Sequence, residues 1–457
     1  MNRILATETH IVMSIYRLII LQLLLLTCTA VDGQTRIELS LDEALAVFYQ
    51  RNLDLMAARY NIDQARADEL VAAAIPNPVL GVQVAEISRN PNMGSLARGC
   101  NPDPQVSCGP AEIFSFSQLI EMAGKRGLRM EASTFATQAA ESDFRDAVRI
   151  FSNLVRDSYY EALLMQKNRA LAEELAQHYR QIVEVNRLRL QAGDIAEADY
   201  LKVKMESSRA ESELDTAVAA EEQAHAKLLM VLRWPDQNAQ LQVKEQWPVV
   251  QDWAQQPAAE FLIGKALQQR PDLLADRQRA EQADKALELA RRLKYPDVTV
   301  NAGYARDPSN NALDSFFVGV NVPVPLFYQY QGESDKAAVS LNQNRMLAEQ
   351  TELAIRNEVV GALAVWRSTD KILQRFKRGL LDEATTVRHS AELSYGRGAT
   401  SVLDLIEAER SYKNIMRDYF AALINHANAY YDLGKSLGNE VYADSAPLNP
   451  AAPAELP

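Results

Sequence analysis

Leu128–Ala192 reads LRMEASTFATQAAESDFRDAVRIFSNLVRDSYYEALLMQKNRALAEELAQHYRQIVEVNRLRLQA, with neither glycine nor proline. Proline removes a backbone donor and clashes with the preceding turn, so its absence leaves a helix uninterrupted. Ala, Leu, Glu, Gln and Arg favour that helix intrinsically. Ala147, Phe151, Leu154, Val155, Tyr159 and Ala162 keep the three-or-four spacing of a packed stripe. The stretch predicts one helix of about 97 Å at 1.5 Å per residue. Gly193-Asp194 ends it, and Ala196–Arg233 resumes helically as an antiparallel return. The chain has 18 prolines, yet none falls in 111–234 or in 326–446. The second proline-free run therefore predicts a second hairpin: Glu333–Ser394, a break at Gly396 and Gly398, then Val402–Leu437.

Two runs of one kind suggest a duplication, and the sequence repeats itself. Asn52-Leu53-Asp54-Leu55 matches Arg270-Pro271-Asp272-Leu273, and Ile75-Pro76-Asn77-Pro78 matches Leu293-Lys294-Tyr295-Pro296, both at an offset of 218. Further on, Gly127 matches Gly332, Gly193 matches Gly398 and Asp199 matches Asp404, at an offset of 205. The difference falls between about 80 and 120, so the first half carries the longer loop. Each half opens with a shorter helical pair, at 41–74 and 258–293. The domain reading is a first repeat over 34–245, with a long hairpin at 128–233. A second repeat covers 246–445, with its long hairpin at 333–437.

Between the helices lie alternating segments. Val298, Val300, Ala302 and Tyr304 fall on one face of 297–306, with Thr299, Asn301 and Gly303 on the other. Phe316, Val318, Val320 and Val322 alternate likewise within 315–324. About 79–88 and 112–120 occupy the corresponding places in the first half. About ten alternating residues is the length of a barrel strand crossing a bilayer. At the offset of 205, Phe114 and Phe116 fall on Gly319 and Asn321 rather than on the valines. Either the repeat slips by one there or a bulge intervenes. Four strands cannot close a barrel, since about eight are needed, and an open sheet edge cannot sit in lipid. A membrane reading therefore requires several copies of the chain. The expected fold is mainly α, with long antiparallel hairpins and a β-barrel portion in a membrane.

Formal net charge is −12, which argues against a nucleic-acid binder, since phosphates call for a basic face. Residues 1–33 read as a signal peptide: Ile19–Leu26 is an apolar core behind Arg17, closest to type if translation starts at Met13. Cys28 is either discarded with that segment or lipidated. The residue before it, Thr27, is not the small residue usual before a lipidated cysteine. Cys100 and Cys108 flank the turn-rich Asn101-Pro102-Asp103-Pro104, which in an exported protein suggests a disulfide, with two free thiols as the alternative. The tail 446–457, with its prolines, reads as disordered.

Further segments stand out in order: Leu39-Ser40-Leu41-Asp42-Glu43-Ala44-Leu45, Ile75-Pro76-Asn77-Pro78, and Phe116-Ser117-Gln118 leading to Gly124-Lys125-Arg126. The second half adds Arg270-Pro271-Asp272-Leu273 and Pro323-Val324-Pro325-Leu326-Phe327 followed by Gly332. Together these segments resemble the outer-membrane efflux proteins of the TolC type. Within these the sequence is most similar to the branch serving cobalt–zinc–cadmium cation exporters. The resemblance covers about 38 to 438. It implies a homotrimer with a twelve-stranded barrel in the outer-membrane lipid and an α-helical tunnel across the periplasm. It also implies a periplasmic adaptor protein and an inner-membrane RND pump as partners. By similarity, Gly193 and Gly398 mark the helix turns facing the adaptor. Asp404 and Glu407 match an acidic pair projecting into the lumen, and Asp199 and Tyr395 match a pair that keeps the tunnel shut. Residues 404 and 407 are three apart and share a helix face. Three copies would make carboxylate rings that attract cations and raise some of their pKa values. Thr400 stands where some members carry a subunit-bridging arginine, and Arg397 is a stand-in candidate.

No phosphate-binding glycine loop is present, because Gly124-Lys125-Arg126 lacks the flanking residues of a Walker motif. His10, His178, His225, His389 and His426 show no ligand spacing along the sequence, and His225 with Glu221 and Glu222 reads as a surface helix turn. No catalytic residue, cofactor or metal site is expected. The leading reading is an efflux conduit for heavy-metal cations. The same channel carrying drugs or other small molecules, or a periplasmic coiled-coil scaffold, are its alternatives.

Overall fold

A computed structural model describes residues 36–85, 111–236, 239–249, 258–306 and 314–438. The signal-peptide segment 1–33 with Cys28, the Cys100–Cys108 pair and the tail 446–457 lie outside the described residues.

Strand β1 (Arg36–Leu39) leads into α1 (Leu41–Arg51) through a capping box. There Ser40 Oγ accepts from the Glu43 N–H at 3.2 Å, and the Glu43 carboxylate accepts from the Ser40 N–H at 2.6 Å. Asn52 ends α1 and also caps α2 (Leu53–Ala73), accepting from the Leu55 N–H at 2.8 Å. Strands β2 (Val79–Ala85) and β3 (Ala111–Ile120) follow, then the 68-residue α3 (Lys125–Ala192) and α4 (Glu197–Val231). After β4 (Gln240–Val243) the order recurs: α5 (Ala259–Gln269), α6 (Pro271–Arg292), β5 (Val298–Arg306) and β6 (Ser315–Asn321). Then come α7 (Gln331–Arg375), α8 (Leu381–Gly396) and α9 (Val402–Ser436). The matched helices α1 and α5 are 11 residues each, and α4 and α9 are 35 each.

The second long helix departs from the sequence expectation in one place. It is interrupted by a π-helical turn, Phe376–Leu380, in which Gly379 takes φ 137°. A backbone angle that only glycine adopts freely breaks the ladder between α7 and α8. The helix ends at Gly396, and Gly398 takes the left-handed conformation that reverses the chain.

The main core forms where the two halves meet. Phe48, Tyr159, Tyr160, Leu228, Leu262 and Ile355 are at most 1% exposed there. Full burial of a Leu, Ile or Phe side chain contributes about 1.5–3 kcal/mol. Strands β1 and β4 pair in parallel beside this core, and the Tyr159 hydroxyl donates to the Leu39 and Lys244 carbonyls, fastening α3 to them. Arg149 and Arg270 close the end of α9: Arg149 Nη1 donates to the Lys435 carbonyl at 2.8 Å and Arg270 Nη1 to that of Ser436 at 3.4 Å. Cations at a helix C-terminus meet the negative end of its dipole.

Strands β2, β3, β5 and β6 form one antiparallel sheet in that order. Leu80, Phe116, Ala302 and Val318 lie opposite one another, as do Val82, Phe114, Tyr304 and Phe316, and all share one face. The other face is mixed: it carries Gly81, Ser115, Ser117, Asn301, Gly303 and Gly319, with Val79, Ile113 and Phe317 among them, and the Phe317 ring lies against Gly303. The register runs unbroken through β3 and β6, so no bulge shifts the paired residues. The offset of 205 therefore slips at these strands, and Phe114 and Phe116 share a face with the valines.

Candidate functional site

Both long hairpins reverse by the same device. At the end of α3 the Gly193 N–H donates to the Leu190 carbonyl (3.0 Å) and the Asp194 N–H to that of Arg189 (2.9 Å). At the end of α8 the Gly398 N–H donates to the Tyr395 carbonyl (3.0 Å) and the Ala399 N–H to that of Ser394 (2.9 Å). Gly193 and Gly398 sit at φ 79° and 71°. The pair of bonds satisfies carbonyls the helix leaves open, and it needs the left-handed conformation that glycine adopts without strain.

Past each turn the halves diverge. Ser401 caps α9 in a capping box with Asp404: Ser401 Oγ and N–H donate to Asp404 Oδ2 at 2.8 and 3.0 Å, and Ser401 Oγ accepts from the Asp404 N–H at 3.3 Å. The matching cap of α4 is Ala196, which has no side-chain acceptor. Asp199, the counterpart of Asp404, instead pairs with Lys202 at 3.0 Å. Within a single chain the Ser401 hydroxyl and N–H hold the Asp404 carboxyl below the usual range. Asp404 and Glu407 are both exposed, one turn apart on α9.

The hairpins are joined at their tips. Tyr395, Val402, Leu405 and Ile406 pack on Val203 of α4, with Ile182 and Val183 of α3 alongside. Tyr395 is 9% exposed; its hydroxyl donates to Asn186 Oδ1, and the Arg189 guanidinium lies 5.3 Å over its ring. Within this one chain Tyr395 is held by Asn186 and Asp199 by Lys202. The side chain of Arg397 makes no hydrogen bond or ion pair among the described residues.

Further along the hairpins, charged side chains from three helices converge. His178 Nε2 of α3 lies 3.0 Å from Glu409 Oε1 of α9 and 3.3 Å from Glu392 Oε1 of α8. Arg388 Nε is 3.1 Å from each of those oxygens, and its Nη1 is 2.8 Å from Glu174 Oε1. Burial pushes the Glu409 carboxyl up, but His178 and Arg388 outweigh it and leave the group below its usual range. The histidines show no ligand spacing in sequence, and this cluster is assembled by tertiary packing alone. His225 also departs from its reading as a surface turn: Glu221, 4.0 Å away, is buried, and Arg169 pairs with it.

The sequence profile of the family described as outer membrane efflux protein matches residues 45–232 and 262–439, most of the chain. The cobalt-zinc-cadmium resistance protein CzcC of Cupriavidus metallidurans is 26% identical over 407 residues, covering 88% of this chain and 90% of that protein. The fold is similar to the Campylobacter jejuni CmeC outer membrane channel at TM-score 0.71 and 16% identity, covering 87% of this chain and 85% of that one. It is equally similar, at TM-score 0.71 and 19% identity, to the outer membrane protein VceC of Vibrio cholerae, covering 87% and 96%.

Proposed function

The chain belongs to the outer membrane efflux protein family, and from that premise we propose that it is the outer-membrane conduit of a tripartite assembly exporting heavy-metal cations. It works as a homotrimer, with a periplasmic adaptor seated at the Gly193 and Gly398 turns and an inner-membrane RND pump supplying the driving force. A conduit passes cargo without transforming it, so no catalytic group is assigned.

The observation that carries this reading is the four-stranded sheet. One face is apolar and open, with Val82 72% and Val318 80% exposed, and the edge strands β2 and β6 have no second partner among the described residues. Such edges cannot lie in lipid unpaired. Three copies joined β6 to β2 give twelve strands, with the apolar face toward lipid and the mixed face, which holds the Ser, Asn and Gly positions, toward a lumen.

The cargo reading is supported by the likeness to a cobalt-zinc-cadmium resistance protein and by the exposed carboxylates at the tip. Asp404 and Glu407 are assigned to a periplasmic constriction where three copies would concentrate cations. Tyr395 and Asp199 are assigned to holding it closed. Thr400 removes the arginine used by some relatives, which leaves Arg397 as the exposed cation nearest the turn to bridge subunits.

The test is growth of a strain lacking the gene on zinc, cobalt, cadmium, nickel, copper and silver salts, with dyes and detergents alongside. Sensitivity to a subset of the metals alone is expected. Sensitivity to dyes and detergents with metals tolerated would replace metal cargo by small-molecule cargo.

A further inference from the structure

We propose that His178, Glu392 and Glu409 form a binding site for a borderline divalent cation of the zinc class, clamping the first hairpin to the second above the tips. The three side chains come from α3, α8 and α9, and their nearest atoms already stand at ligand spacing. A tetrahedral ion with bonds of about 2.0–2.1 Å holds its ligand atoms about 3.3 Å apart. His178 Nε2 lies 3.0 and 3.3 Å from the two carboxylate oxygens, close enough for an ion pair, yet Nε2 is buried with no hydrogen bond of ordinary geometry.

A second observation points the same way. The Glu409 side chain is wholly buried, and its Oε2 accepts no hydrogen bond. A buried acceptor without a donor is costly, and a metal ion satisfies a carboxylate as a donor would. Charge is also unbalanced. Three carboxylates, Glu174, Glu392 and Glu409, face one permanent cation, Arg388, and one imidazole, His178, which the Glu409 carboxylate draws toward its charged form.

Arg388 is a competitor rather than a barrier. Its Nη1 holds Glu174, and its guanidinium lies 4.5 Å over the Tyr412 ring. It can keep both contacts while giving up its Nε contacts to the two glutamates. A cavity of about 360 Å³ runs alongside, lined among others by Tyr179, Glu206, Glu213, Glu409 and Arg410, and gives an ion a route to Glu409. One imidazole with two carboxylates suits Zn²⁺, Co²⁺ or Ni²⁺ better than the all-oxygen sites of calcium and magnesium. A bound ion would tie α3 to both helices of the second hairpin and stiffen the arrangement that places Tyr395 on Asn186.

The site is tested on the full chain, purified in detergent and stripped with chelator, by calorimetric titration with Zn²⁺ and by the visible absorption of added Co²⁺. A saturable site in each chain is expected, with the Co²⁺ spectrum of a nitrogen–oxygen set. H178N and E409Q weaken binding by at least about tenfold, the lower end of what losing even an outer-shell partner costs. H389N, which alters an exposed neighbouring imidazole, binds as the unaltered chain does. R388Q removes the competitor and no ligand, and it tightens binding. This last variant keeps the proposal open to refutation should the ligand variants fail to fold. Absence of saturable binding, binding unchanged in H178N and E409Q, or binding no tighter in R388Q would each overturn it. Zinc binding to purified protein is independent of what the channel exports, so this result and the growth test fail separately.

Discussion

The Tyr395 hydroxyl donates to Asn186 Oδ1 across 209 residues of sequence, joining the second hairpin tip to the first. Asn186 is fully buried, and its amide already donates to the Ile182 carbonyl at 2.8 Å. Y395F therefore leaves an orphaned buried acceptor, worth about 1–3 kcal/mol. With the tips acting as the closure, Y395F lowers the unfolding temperature and also lengthens open times in planar-bilayer recordings. Lowered stability with unchanged conductance would mark the contact as structural only.

Asp404 is bound to its own helix start, and this separates its two roles. S401A removes the cap and costs roughly 1 kcal/mol in α9 while leaving the carboxylate in place. D404N and E407Q remove charge from the proposed constriction, so the reversal potential across a salt gradient should shift toward lower cation preference. Because Ser401 holds the Asp404 carboxyl below its usual range, its charge persists through the ordinary Asp value of about 3.9. It is lost only as pH falls through the depressed folded value. S401A brings that loss to a higher pH, which recordings across an acid series would detect.

Asp272 sits between Arg270, which donates to it through Nε at 3.1 Å, and Arg149, 3.7 Å away. Burial pushes its carboxyl up, but the two guanidinium groups outweigh burial and hold it below its usual range. A depressed folded pKa gives stability that is complete above the unfolded value, about 3.9, and lost as pH falls through the folded one. D272N leaves Arg270, 3% exposed, short of a partner. It should cost about 2 kcal/mol at neutral pH, in the range for hydrogen bonds to charged groups. Thermal unfolding from pH 7 downward should show the variant and the unaltered chain converging in acid.

The turns at Gly193 and Gly398 were legible because a left-handed residue between two proline-free runs leaves a one-residue signature. The long helices were legible for the same local reason. Strands β1 and β4 were not, since four residues hold too little alternation to separate from a loop. The π-helical turn was hidden because a lone glycine among good helix formers is usually tolerated. Tyr395 with Asn186, and His178 with Glu392 and Glu409, join residues of different hairpins. Spacing along the chain carries no trace of such contacts.

The two faces of the sheet make the most direct test of the membrane assignment. Val318 lies with Leu80, Phe116 and Ala302 on the apolar face, and Asn301 lies with Gly81, Ser117 and Gly319 on the opposite one. An arginine facing lipid near the bilayer midplane costs about 2–4 kcal/mol, whereas one facing a water-filled lumen keeps its hydration. V318R should therefore deplete the heat-resistant oligomer from the outer-membrane fraction, and N301R should leave it in place. The measurement is a gel of unheated and heated membrane samples from strains expressing each variant at equal level. Equal loss in both variants would mean that the strands tolerate no arginine on either side. Loss in N301R alone would reverse the assignment of the faces. Because the two positions sit on adjacent strands of one continuous register, a difference between them reports the environment of each face rather than the stability of the strand.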